Sequence, residues 1–196
     1  MAQGSLKSRL VAIAGWLDRV NAWVGRIIAW LALAMVLVTF LVVVLRYGFD
    51  AGSIALQESV TYMHAMLFML AAAYTLQRDG HVRVDIFYHS FSRRGRAWVD
   101  LFGTLVLLVP VCLFILASSW GYVAESWAVH EASREAGGLP YVYWLKTLMV
   151  AMPLLLLLQG VVWVLRNGLF LAGVDAALPG PDTGGSDGGA GGHADG

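Results

Sequence analysis

Four stretches of this 196-residue chain hold no Asp, Glu, Lys or Arg: Ile27–Leu45, Val60–Leu76, Leu101–Ala124 and Leu148–Leu165. Crossing about 30 Å of hydrocarbon takes roughly 20 helical residues. The second and fourth runs reach that length through uncharged neighbours: Ser59 on one, and Trp144–Thr147, Lys146 aside, on the other. Lipid offers no partner for a backbone amide, so each run must bond internally as a helix. A soluble fold is excluded on balance. The chain is 59% hydrophobic and 13% charged, against about 45–50% and about 25% in soluble domains. The expected fold is an all-α membrane protein with four transmembrane helices, at about residues 27–45, 57–76, 101–124 and 146–165, the last two bent by Pro110 and Pro153. The first run is too long and begins too far from Met1 for a signal h-region, so it is expected to stay as an anchor.

Orientation follows from the basic residues. Lys7, Arg9, Arg19, Arg26, Arg78, Arg83, Arg93, Arg94, Arg96 and Arg166 lie on one side, and only Arg46, Arg134 and Lys146 on the other. Both termini are therefore expected in the cytoplasm, with Arg46–Ser59 and Glu125–Lys146 outside. Trp120, Tyr122, Trp127, Tyr141, Tyr143 and Trp144 flank the second outer loop as an interfacial aromatic belt. One or two amphipathic helices should lie along the membrane surface. In Asp85–Arg96, Asp85, His89, Ser92 and Arg96 share a face opposite Phe87 and Phe91. Leu6, Leu10, Ile13 and Leu17 give a less regular stripe within residues 1–22. The four-helix domain then covers 23–173, and the Gly/Asp-rich tail, 174–196, has too little apolar surface to fold.

Ionisable groups inside membrane spans mark transport pathways, because burying them there is costly. These spans are almost bare. His64 is the one such residue well inside a span, and it reads either as an interfacial histidine bonded to a neighbour or partner chain or as a ligand of a b-type haem held between two histidines, the first being the expectation. His81 and His89 fall on the cytoplasmic side, His130 in an outer loop and His193 in the tail, so the second ligand is missing. Arg46 and Glu58, at the ends of the first two helices, either pair across that hairpin or are solvated separately. Gln77–Asp85 reads as a left-handed helix end at Gly80 followed by an extended clamp carrying His81, Arg83 and Asp85. It has no nucleophile or metal-ligand spacing. Cys112 is a lone small hydrophobe. Ala71–Ala73 and the Ala117/Gly121 pair allow close helix approach. Zero net charge gives no pull toward nucleic acid. No enzyme chemistry, cofactor or metal is expected.

Three stretches carry a family likeness: RYGFD…LQES (46–59), GHVRVDIFYHSFSRRGR (80–96) and ASREAGGLPYVYWLKTLMVAMPLLLLLQG (132–160). In order and placement they resemble the small permease subunit, of DctQ type, of tripartite ATP-independent periplasmic (TRAP) transporters. Leu56-Gln57 ahead of a single Glu58 departs from the family's tryptophan and paired acids. The resemblance implies an inner-membrane protein of bacteria that works with a large multi-span permease, which moves organic acids with sodium, and with a periplasmic solute-binding protein. The small subunit would brace the fixed part of the large one. Glu131, Arg134, Glu135 and Pro140, in the second outer loop, would then lie near the docked binding protein. Competing readings are a membrane anchor for a redox enzyme carrying haem or quinone, and a small self-assembling exporter.

Overall fold

The computed structural model describes residues 2–80 and 91–174, with side chains from residue 8 onward. Among these the fold is all-helical. The helices are α1 (Ala2–Gly48), α2 (Ile54–Gln77), α3 (Arg93–Ala128) and α4 (Val142–Leu171). All four are long and apolar enough to cross a membrane. They alternate in direction. The end of α2 therefore meets the first part of α1 and the last part of α4, and the α3–α4 loop returns over the start of α2. The central helix is α4, which packs against the other three. That position explains why its buried residues, among them Leu148, Pro153, Gln159, Val162 and Phe170, spread over about half its circumference at about 100° per residue, while Leu154 and Val161 on the other side stay exposed.

The N-terminal segment, expected apart from the first span, is continuous with it. At about 1.5 Å per residue, α1 is roughly 70 Å long. The surface helix expected over Asp85–Arg96 lies outside the described residues as far as position 90. Ser92 caps the start of α3, its hydroxyl accepting from Gly95 N at 3.2 Å, and Arg93–Arg96 form the first turn. The tail from residue 175 is likewise outside the described set.

Two proline and glycine expectations resolve locally. Thr104–Leu108 forms a π turn inside α3, closed by Val109 N–H donating to Thr104 O. Pro110 follows at once. A proline lacks the N–H and crowds the carbonyl one turn back, and a widened turn relieves both faults. At the end of α2, Asp79 and not Gly80 takes the left-handed conformation (φ 56°), and Gly80 N–H donates to Thr75 O at 2.9 Å. An aspartate tolerates that region better than most residues, so the glycine is free to approach the Thr75 side chain instead.

Small residues divide by face. Ala73 is buried against neighbouring helices, as its close-packing role requires. Ala117 and Gly121 are exposed. The contact face of α3 uses Cys112, Ser119, Val123 and Ser126. At about 100° per residue that stripe leaves the Ala117/Gly121 pair pointing outward, away from the other described helices.

Candidate functional site

Polar groups gather at the two ends of the bundle. At the end where α2 and α4 finish, Asp18 is 8% exposed and Asn21 and Gln159 are each 1% exposed, so these three polar side chains are buried. Asn21 Nδ2 donates to Gln159 Oε1 at 2.6 Å, and Gln159 Nε2 donates to Asp18 Oδ1 at 3.1 Å. Gln77 Nε2 donates to the Asp18 backbone carbonyl at 2.7 Å and to Asp18 Oδ1 at 3.0 Å. Arg166 forms an ion pair with the other carboxylate oxygen of Asp18. One carboxylate thus ties α1 to α2 and α4. A buried charge is tolerated only when paired and hydrogen-bonded, and here it has both. Asn21 Oδ1 and Gln77 Oε1 are buried without a hydrogen-bond partner among the described residues.

At the opposite end, Glu58 in the second turn of α2 holds the α3–α4 loop. Its carboxylate accepts from the Ser133 hydroxyl and from Leu139 N–H, the latter at 2.6 Å. Gly138 makes this possible. A Cβ there would lie 2.6 Å from Ser133 Cβ and 2.9 Å from Glu58 Oε1. The second staple is Glu131, which accepts from Ser126 Oγ at 2.7 Å and pairs with Lys146, itself seated 3.8 Å from the Tyr122 ring centroid. Trp127, Tyr143 and Trp144 pack edge-on beside them, and Trp127 Nε1 donates to Thr147 Oγ1 at 2.9 Å.

The Glu131 carboxyl is held below its ordinary value of 4.5, first by the Lys146 hydrogen bond and then by that of Ser126, against a smaller opposing effect of burial. A depressed carboxyl stabilises the fold above its unfolded value and loses that contribution as pH falls through its folded value. Glu131→Gln should therefore lower the thermal midpoint in detergent at pH 7. The gap to the parent protein should close as pH drops below 4.5. Thermal scans of both proteins between pH 7 and pH 3 test this, and a gap independent of pH would refute it.

Of the residues singled out from sequence, Glu58 and Glu131 are brought into the loop staples. Arg46 is exposed in the last turn of α1 and does not pair with Glu58, whose two oxygens are taken by the loop. Arg134, Glu135 and Pro140 are exposed on that loop. His64 lies ten residues inside α2, faces outward and stacks on Phe68 with ring centroids 6.4 Å apart. His81, Arg83 and Asp85 lie outside the described residues. Sequence reasoning missed Asp18, Asn21, Gln77 and Gln159. A signal existed: Asp18 and Asn21 stand one turn apart in a helix, and Gln159 interrupts the leucine run of α4. Among the described residues no three His, Cys, Asp or Glu side chains converge as a metal site would require.

The profile of the DctQ component of tripartite ATP-independent periplasmic transporters matches residues 35–167. The chain belongs to this family. It is also 33% identical over 86 residues to the Haemophilus influenzae protein described as "Putative TRAP transporter small permease protein". That match covers 44% of this chain and 53% of the relative, about half the length of each. No solved structure matches. The chain is therefore a membrane protein of the TRAP small-permease family. Its matched region takes in Glu58, Glu131, Gln159 and Arg166 but leaves out Asp18 and Asn21.

Proposed function

We propose that this chain is the non-transporting small membrane subunit of a sodium-coupled transporter for organic acids, bracing the fixed part of a large permease subunit in the bacterial inner membrane. Family membership supports the small-subunit role. The observation that carries the bracing role is the pair of polar clamps. Helices in lipid gain little from hydrophobic association, because acyl chains are as apolar as leucine. Interhelical hydrogen bonds and close packing hold them instead, and here both ends of the bundle are tied. A body locked at both ends suits a stator, against which another subunit slides.

Arginines 19, 26, 78, 93, 94, 96 and 166 all sit toward the clamp of Asp18. On the positive-inside principle that end faces the cytoplasm. The α3–α4 loop then faces the periplasm, and Arg134 and Glu135 stand free of its staples, where a solute-binding protein would dock. Expression with a large permease subunit tests the reading. The two should co-purify, and deletion of the small subunit should reduce organic-acid uptake at least ten-fold. Recovery of this chain alone, with uptake surviving the deletion, would overturn it.

A further inference from the structure

One helix face carries chemistry that does not suit lipid. Most of α2 is covered by α1 and α4, and its exposed residues form a single row: Ile54, Gln57, Thr61, His64 and Phe68. The steps of three and four keep that row on one side of the helix. From Ile54 at one end of the 24-residue helix, Thr61 and His64 lie about 10 and 15 Å along it, well within a hydrocarbon layer of about 30 Å. The side chains of Gln57, Thr61 and His64 make no hydrogen bond among the described residues. Elsewhere the exposed surface is dominated by Trp, Phe, Leu and Val, and the exposed Thr39 donates its hydroxyl to Met35 O at 2.7 Å. Acyl chains cannot satisfy an amide, a hydroxyl and an imidazole.

Beside the row runs a largely apolar groove of about 410 Å³ between α1 and α2, lined by Met35, Val36, Thr39, Phe40, Val43 and Val60. A polar ridge next to an apolar groove calls for a partner of different shape. A symmetric pair of copies would set His64 against His64 and Phe68 against Phe68. The row has no small residue to let two such backbones meet.

We propose that this face of α2 receives a transmembrane helix of the large permease subunit, one that offers hydrogen-bonding side chains at the depth of Thr61 and His64 and an apolar ridge for the groove. The proposal rests on the small-subunit reading above and gives that role its contact surface.

The test uses the whole transporter in bacterial membranes. A photo-crosslinking amino acid is placed at Thr61 or Phe68, and as controls at Phe114 on α3, exposed to the same 72% as Phe68, and at Leu37 on α1. Thr61 and Phe68 should give adducts with the large subunit at least five-fold above both controls. The triple substitution Q57L/T61V/H64L should cut co-purification of the large subunit at least ten-fold, with the thermal midpoint of the isolated small subunit unchanged or raised. Equal yields at all positions, or full co-purification of the triple variant, would overturn this face while leaving the subunit assignment standing. Adducts between two copies of this 21.2-kDa chain would assign the face to self-association and also overturn it. If the unsubstituted chain fails to co-purify with any large permease, the subunit reading itself fails and takes the proposal with it.

Discussion

Replacing Asp18 with leucine should unfasten the clamp that joins α1, α2 and α4 and lower stability by about 3 kcal/mol, since removing one partner of a buried pair costs about 3–5 kcal/mol. The lower figure applies because the Arg166 side chain keeps 33% of its surface exposed and regains some hydration. The loss has three parts. Arg166 is left without its anion, and Gln77 and Gln159 lose the acceptor at Asp18 Oδ1. A shift of about 2–4 °C per kcal/mol is usual for chains of this size, so the thermal midpoint in detergent should fall by roughly 6–12 °C. The double substitution D18L/R166L is the informative comparison. It removes both charges together, and an apolar replacement of a whole pair costs far less than breaking it. D18L/R166L should therefore be more stable than D18L alone. If the two substitutions simply add, the clamp is not a clamp.

The second large effect is steric. A Cβ on Gly25 would lie 2.3 Å from Cγ of the Tyr74 ring, far inside van der Waals contact. At this point α1 and α2 cross closely enough that one helix must lack a side chain. Gly25→Leu should force the helices apart and cost about 2–3 kcal/mol, the upper part of the range for overpacking a filled site. Tyr74→Ala alone should also destabilise by opening a cavity. Together, G25L/Y74A lets the leucine fill the space left by the ring, so the pair should show a favourable coupling of about 1–2 kcal/mol in a double-mutant cycle. Gly15→Ala serves as the control, because nothing lies within 4 Å of its Cβ position. That change should be neutral or should gain up to about 1 kcal/mol from helix propensity. Equal losses at Gly15 and Gly25 would show that backbone freedom, not the Tyr74 contact, governs the site.

How far the sequence could be read depended on the kind of question. The four spans were legible because bilayer thickness and backbone hydrogen bonding act on any apolar run, whatever its neighbours. The family likeness was legible in Arg46–Ser59 and Ala132–Gly160, and the match over residues 35–167 bears it out. The contacts of individual residues were not. Arg46 and Glu58 stand at neighbouring helix ends, so an ion pair across the hairpin was open. Glu58 instead turns to Ser133 and Leu139, 75 and 81 positions away. Asp18 drew no assignment from the sequence. Only the packing of α4 against α1 shows it as the centre of a polar knot with Gln159 and Arg166.

Hydropathy and chain length by themselves determined the solvent of this protein, the four spans found among the described residues and their up-and-down order, because those follow from the cost of unpaired amides in lipid. Tertiary structure alone decided which helix sits at the centre, which small residues meet a neighbour and which polar side chains find partners. Ala73 is enclosed while Ala117 faces outward, and the Gln159 side chain finds partners while that of Gln57 finds none among the described residues. In an apolar solvent the composition of each helix is nearly uniform around its axis. The rotation that settles these choices is therefore set by a few close contacts and polar pairs between helices, and no single helix records it.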